Sequence, residues 1–402
     1  MQSLSNQQLL KAAQQFGTPL YVYHAEKITE QYQKLKTAFH KPNTKFFYAC
    51  KALTNIHILQ HLKSIGCNID CSSIHEVKLA LYAGFEKQHV LYTSNGIHFS
   101  EIEEAISLGV NITIDSISNL KKFAEKYKNN YPISIRIRPD IMGGGNINIS
   151  TGHENSKFGI PVTRLNDILH IMKLHPINVV GLHIHTGSDI EDIQVFIQGI
   201  EVLFEILHRF PNLKFIDLGS GFKVKYKESD KATNIELLAK EIYEDFDNHP
   251  AAKDLEIWFE PGKFLVSECG YLLTKVNVIK ENNESKFIGV DTGFNHLIRP
   301  MFYNSYHHIK NLSNPDGERE IYTVVGNLCE TDTFAIDREL ETTNEDDVLC
   351  FYNAGAYGFE MSSNFNSRFK PAEVLFKNNE CSLIRRRDVF EDLLKNQLES
   401  EQ

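Results

Sequence analysis

Two hydrophobic periodicities alternate through the first two thirds of the chain. Short runs rich in β-branched and aromatic residues recur at FFYAC (46–50), NIDCS (68–72), VLYTS (90–94), NITIDS (111–116), ISIRIRP (133–139), VVGLHIHT (179–186), FIDLGSG (215–221) and EIWFEPG (256–262). Each is bounded by turn residues and predicts a strand. Between them, stretches such as HILQHLKSIG, HEVKLALYAGF, RLNDILHIMKL and VFIQGIEVLFEILHRF place apolar residues at helical spacing. Eight strands in about 220 residues have the size and repeat of a (β/α)8 TIM barrel, and the right-handed crossover rule makes the strands parallel. A doubly wound sheet is the structural competitor.

The texture differs on either side of this repeat. An opening helical pattern, MQSLSNQQLLKAAQQFG, leads into a strand at TPLYVY (18–23) and a polar helical stretch up to His40. From about Leu272 onward, strands such as TKVNVIKENNESKFIGVD, EREIYTVVG, DDVLCFYNAG and AEVLFKNNECSLIRRR alternate with charged and Asn-rich turns, which predicts a separate antiparallel β-domain. The tail from about Asp388 reads as a terminal helix. The expected division is residues 1–25 as an N-terminal segment, 26–268 as the barrel and 269–402 as the β-domain.

Composition narrows the function classes. The 402 residues are 42% hydrophobic and 23% charged, as expected of a globular chain with sizeable cores. Lys+Arg 42 against Asp+Glu 52 gives a net charge of -10, which disfavours a general nucleic-acid or anionic-membrane partner but leaves room for local sites for small anions. The N-terminus has neither the apolar core nor the cleavage site of an export signal, and no apolar run reaches the roughly 18 residues of a membrane span, so a cytosolic protein is expected. Seven scattered cysteines fit reduced thiols better than a disulfide framework.

A barrel builds its active site at the carboxyl ends of its strands, and those ends are polar here. In strand order they deliver Lys51, Asp70 and Ser72, Asp115, Arg136 and Arg138, His183 and His185, Gly219-Ser220-Gly221, and Glu260. Such a mixed cluster suits a small polyanion. Gly219-Ser220-Gly221 stands after the seventh strand, where barrels often bind phosphate through backbone amides, although a glycine turn there is also an ordinary strand-to-helix connection. Lys51 follows an apolar strand, as a Schiff-base lysine does, while a lone lysine at such a place can simply snorkel to solvent. His183 and His185 are two apart, which on a strand puts them on one face, either as metal ligands or as hydrogen-bonded core residues.

Taken together, four motif groups resemble, over essentially the whole chain, those of the pyridoxal-phosphate decarboxylases of the alanine-racemase-like fold and, within them, the diaminopimelate decarboxylases. FFYACKAL is similar to the family's lysine motif, GLHIHTGSDI to its His-x-Gly-Ser motif, DLGSGF to its triple glycine and EPGK to its Glu-Pro-Gly-Arg. Ser220 and Lys263 are departures from that pattern. The resemblance implies pyridoxal 5'-phosphate as cofactor, held covalently by Lys51, with His185 against the ring face, Glu260 at the ring nitrogen, and Ser188, Gly219, Ser220, Gly221, Pro261, Gly262, Lys263 and Tyr357 around it. It also implies that the N-terminal strand joins the β-domain, which would itself be a barrel or sandwich.

The same resemblance extends to the last third. LIRPMFYNSYHHI is similar to the segment that binds substrate through an arginine and a tyrosine, here Arg299 and Tyr303. An arginine suits a distal carboxylate, which separates meso-diaminopimelate from ornithine or lysine. VVGNLCETDTFA is similar to the Cys-Glu-Ser-x-Asp motif, so Cys329 would be the general acid and Glu330 the acceptor of the distal ammonium. NAGAYGFEMSSNFNSR carries Tyr357, placed by resemblance at both phosphate and substrate, and Lys263 would also face substrate. A homodimer with shared sites is implied, because in this family the cysteine loop completes the partner's site. The expected reaction is decarboxylation of meso-2,6-diaminopimelate to L-lysine and carbon dioxide, the last step of lysine biosynthesis. The alternatives are a relative acting on arginine, ornithine or carboxynorspermidine, a metal-dependent hydrolase built on His183 and His185, and a catalytically silent partner-binding relative.

Overall fold

The structure is a computed structural model, and the residues it describes are 3–141, 152, 156–283 and 285–398. They divide into two compact units: Gln31–Lys225 with Lys231–Leu265, and Met1–Glu30 with Tyr226–Asp230 and Val266–Gln402. In chain order, β1 (Leu20–His24) belongs to the second of these. The alternating part follows with β2 (Thr44–Ala49), β3 (Asn68–Cys71), β4 (Val90–Thr93), β5 (Asn111–Ile114), β6 (Pro132–Arg138), the short β7 (Ile160–Pro161), β8 (Asn178–His183), β9 (Phe215–Asp217) and β10 (Glu256–Phe259).

Eight of these strands close into a parallel barrel, in the order β2-β3-β4-β5-β6-β8-β9-β10 and back to β2. β7 lies outside the ring, paired only to β6. The doubly wound alternative is excluded by the β10–β2 and β5–β6 pairings, which leave the ring no edge. Strand ends are tied tightly to the helices that follow. Ser73 caps the helix Ile74–Tyr82 two residues after β3 ends, and Ser116 caps Ile117–Lys126 two residues after β5 ends. Each hydroxyl accepts a backbone N–H of the first turn, which fixes the helix entry and, with it, the side chains at the strand end. Phe47, Leu91, Phe215 and Trp258 form one buried apolar cluster in this unit, with the Phe215 and Trp258 rings stacked at 3.5 Å.

The other unit contains β11 (Gly270–Glu281), β12 (Lys286–Val290), β13 (Ile309–Asn311), β14 (Arg319–Val325), β15 (Thr333–Glu341), β16 (Val348–Phe351), β17 (Ala372–Lys377) and β18 (Glu380–Arg385). With β1 they make a nine-stranded sheet ordered β15-β14-β12-β11-β1-β17-β18, while β13 and β16 attach through β11. Alternation along the chain suggests hairpins throughout, yet β1–β17 and β12–β14 are parallel. Neither pair is adjacent in sequence, so no tight turn dictates antiparallel pairing there. The N-terminal strand is interior, with β11 on one side and β17 on the other. Leu9, Leu20, Val22, Leu273, Cys350 and Val374 share its buried core. The terminal helix is only Phe390–Leu394. No helix among the described residues is long and apolar enough to cross a membrane.

Candidate active site

The carboxyl ends of the barrel strands converge on Glu260, the residue after β10. Its Oε1 accepts the Thr93 hydroxyl from the end of β4 at 3.1 Å, and His183 Nε2, at the end of β8, stands 3.4 Å from Oε2. That last contact is within ion-pair range, and among the described residues both His183 ring nitrogens lack a hydrogen-bond partner in the interior. Asp217 at the end of β9 and Asp70 in β3 complete a buried group with one orphan oxygen each. Burial and, second to it, the charge of Glu260 push the carboxyls of Asp70 and Asp217 well above the usual carboxylate range. Burial works against ionisation of Glu260 as well, but the contact with His183 and the charge of Arg136 outweigh it and hold that carboxyl below its usual range. The three buried carboxyls are thus pushed apart, Asp70 and Asp217 upward and Glu260 downward.

A tight loop after β9 faces this group. Gly219 takes φ +60°, and a side chain there would put Cβ 2.6 Å from His185 Nδ1 and 2.8 Å from Ile184 O. At Gly221, with φ +119°, Cβ would fall 2.2 Å from Gly187 O. Glycine is therefore required at both outer positions, whereas Ser220 between them needs no left-handed backbone. The amides of this loop are engaged by the chain itself. Gly219 N–H donates to Asp217 Oδ1 at 2.9 Å, Ser220 N–H to His185 Nδ1 at 3.3 Å, and Gly221 N–H to the Ser220 hydroxyl. The loop allows close approach of a ligand, and all three of its amides donate to side-chain atoms.

His183 and His185 do not form the pair that their spacing suggests. The strand ends at His183, and beyond it the chain turns so that Ile184 N–H bonds Asp217 O at 2.9 Å while His185 meets the glycine loop. His183 instead groups with Asp217 and Glu260, their ligand atoms all within 4.8 Å of one another. His185 is held neutral by burial and by the charges of Arg136 and Lys51, with Nδ1 accepting, which leaves its proton on Nε2.

Lys51 lies in the turn Cys50–Ala52 directly after β2, and Ala49 N–H donates to Pro261 O at 3.2 Å, which ties this turn to the Glu260-Pro261-Gly262 segment. Lys51 influences Asp70, His183 and His185 electrostatically, so its ammonium belongs to the same group. Lys263 is committed elsewhere: its Nζ lies 2.7 Å from both oxygens of Asp189, one residue after Ser188. Asp115, raised by burial, accepts the Asn95 amide at 2.5 Å.

Within the other unit, Arg299 is buried at 5% exposure at the start of a short helix, Arg299–Tyr303. Its guanidinium stands 5.6 to 5.8 Å from the ring centres of Tyr226, Tyr303 and Tyr357, and its Nε has no partner. Nη2 makes only a long contact of 3.4 Å with Ser305 Oγ. A buried guanidinium with spare donors is a site for a carboxylate. Cys329 and Glu330 are exposed on the loop between β14 and β15. Motif reading passes over Thr93, Asp217, Asp189, Tyr226 and Asn366. Thr93 closes the one barrel strand to which no site residue is assigned from sequence, and Asp217 immediately precedes the glycine loop, so position alone could have found both.

The pattern that defines the family described as "Pyridoxal-dependent decarboxylase, pyridoxal binding domain" matches residues 25–267. A diaminopimelate decarboxylase of Methanothermobacter thermautotrophicus is 39% identical over 400 residues, covering 96% of this chain and 93% of the relative. The chain belongs to the pyridoxal-dependent decarboxylases. Among solved structures, diaminopimelate decarboxylase from Helicobacter pylori complexed with L-lysine superposes with a TM-score of 0.88 at 30% identity, covering 96% of this chain and 98% of that one. A lysine/ornithine decarboxylase from Vibrio vulnificus, at 22% identity and a TM-score of 0.82 over 93% of this chain, shares the fold.

Membership in this family makes pyridoxal phosphate the cofactor, and the barrel residues fit it. Glu260 supplies a carboxylate, Asp217 and His183 have orphan polar atoms beside it, and the glycine loop forms a cradle that any Cβ would fill.

Proposed function

We propose that this decarboxylase converts meso-2,6-diaminopimelate to L-lysine and carbon dioxide. What supports this substrate is Arg299, a buried guanidinium with an orphan Nε, suited to a carboxylate at the far end of the substrate. A lysine or ornithine substrate has no carboxylate there, and binding it would leave the buried charge unpaired. Full-length similarity to diaminopimelate decarboxylases supports the same reading.

When bound, the cofactor supplies a protonated pyridine ring that draws negative charge from the substrate carbon that loses its carboxylate. Lys51 would hold the cofactor, His185 would face its ring, and Ser188 and the loop Gly219-Ser220-Gly221 would receive the phosphate. Because Ser220 occupies the Gly221 amide, rotation of its hydroxyl would release that N–H to the phosphate. Glu260 would keep the ring nitrogen protonated, and burial pushes the neighbouring Asp70 and Asp217 carboxyls up, away from the charged form. Pro261 and Gly262 hold the Glu260 segment against the Lys51 turn. Lys263 acts through Asp189, fixing the Ser188 loop. Tyr303 and Tyr357 flank the guanidinium of Arg299, and Tyr357 also borders the phosphate.

We further infer that Cys329 returns a proton to the decarboxylated carbon and that Glu330 accepts the distal ammonium, both in the site of a second copy of the chain. Their exposure on a single chain supports a homodimer with shared sites. All seven cysteines are free thiols, which supports a cytoplasmic location.

The test is carbon dioxide release with added pyridoxal phosphate from meso-diaminopimelate, lysine, ornithine and arginine in parallel. Release from meso-diaminopimelate alone is expected. Equal release from a monocarboxylate diamine would remove Arg299 from its role. For the shared site, mixing Lys51→Ala with Cys329→Ala protein should restore activity that neither has alone, and no recovery would leave each site within one chain.

A further inference from the structure

We propose that Asn366 is the positioning residue for the Cys329 thiol. The inference rests on the reading of Cys329 as general acid and adds the group that holds it. Asn366 grips the cysteine twice: its Oδ1 accepts the Cys329 N–H at 3.0 Å, and its Nδ2 donates to Sγ at 3.0 Å. Two contacts from one planar amide fix both the backbone and the sulfur of a residue 37 positions away in sequence.

The backbone around both ends is shaped for this grip. Asn366 has φ +57°, a left-handed conformation that asparagine tolerates better than most residues, so its side chain is presented by a strained turn. Arg368 stitches the same segments by donating to Asn327 O at 3.1 Å. On the cysteine's side, Asp332 closes the loop, its carboxylate accepting Leu328 N–H at 3.2 Å and its carbonyl accepting Gly326 N–H at 2.9 Å. The sulfur is thus the free tip of a loop held at three points.

The chemistry follows from the donor's direction. When Cys329 gives up its proton, the S–H bond breaks, a C–H bond forms at the decarboxylated carbon, and the electron pair stays on sulfur. An N–H aimed at that sulfur stabilises the thiolate left behind, and so helps the acid release its proton. Both residues are exposed on a single chain, where water competes; a second copy covering the loop would strengthen the contact.

Two variants separate the two halves of the grip. Asn366→Asp keeps an acceptor for the Cys329 N–H but replaces the donor at sulfur with a carboxylate oxygen. Asn366→Gly keeps the left-handed backbone and removes the amide. The rate of iodoacetamide alkylation of the Cys329 peptide, followed by mass spectrometry in the full-length holoenzyme near pH 7.5, should fall about three- to tenfold in both, as loss of one hydrogen bond to the thiolate implies. It should fall further in Asn366→Asp. Turnover of meso-diaminopimelate should drop while KM and cofactor absorbance hold. Alkylation unchanged in both variants would overturn the proposal. Full turnover in Cys329→Ala would instead overturn the general-acid reading, and the alkylation rates would still report the grip.

Discussion

The barrel and the sheet unit write their tight turns in different residues. Among the described residues with positive φ, the barrel unit has eight glycines and three others, Lys128, Asp140 and Asp189. The sheet unit has one glycine, Gly17, and nine others, among them Asn304, Asn353, Tyr357, Asn366 and Ser367. A glycine turn relieves strain and leaves room for a ligand to approach closely. A left-handed Tyr or Asn keeps strain and presents a side chain. The barrel therefore offers a cradle with chemistry delivered by strand ends, whereas in the sheet unit left-handed turns present the side chains of Tyr357 and Asn366.

The largest effect expected is on the strand ends. Lys51→Ala should lower turnover by about 10³-fold or more and abolish the absorbance of lysine-bound cofactor; full turnover would remove Lys51 from the site. Glu260→Gln preserves an acceptor for Thr93 but not the charge, and should lower kcat about 10²–10³-fold with cofactor still bound. If kcat holds, the charge at the ring nitrogen is irrelevant. In the sheet unit, Arg299→Ala should raise KM for meso-diaminopimelate by about 10–100-fold and leave cofactor absorbance alone, since the cost is one charge-assisted pair.

The two units also differ in what acid does to them. In the sheet unit, burial is the leading cause that lowers His296 to about 4 and His307 to about 3. The unfolded chain binds those protons near pH 6.5 and the folded one does not, so this contribution is present above 6.5 and lost progressively as pH falls toward 3–4. His296 alone is worth roughly 3 kcal/mol across that window. Thermal unfolding followed from pH 7 to 4 should show a steep fall that His296→Gln flattens; identical slopes would refute this account. The smallest effect belongs to Ser220→Gly. It frees the Gly221 amide without altering the backbone, so cofactor affinity by titration should change by no more than about threefold, and a larger loss would make the hydroxyl a direct phosphate ligand.

The barrel was readable because its signals are local. Each strand run, bounded by turn residues, ends within a few residues of the observed strand, and Lys51, His185 and Glu260 stand where strand ends must deliver them. What could not be read is how neighbours divide charge among Asp70, Asp217 and Glu260, since that depends on packing of strands far apart in sequence. His183 shows the limit of periodicity: two-residue spacing assigns it a partner, but the strand stops at that residue and its real neighbours come from β9 and β10. In the sheet unit, the motif residues were legible, but their partners were not. Nothing in the local pattern links Asn366 to Cys329, or Tyr226, in the loop that follows Lys225, to Arg299.

The position of β1 has a consequence for how the chain is made. Leu20 pairs with Ala372, so one interior strand of the sheet waits for a neighbour synthesised 352 residues later. At about 5–20 residues per second, that wait is roughly 20–70 s, and until β11 is made the segment LYVYH has both edges unmet. The barrel sequence emerges whole in the interval. The interior place of the first strand is thus filled only when the C-terminal strand β17 has been made.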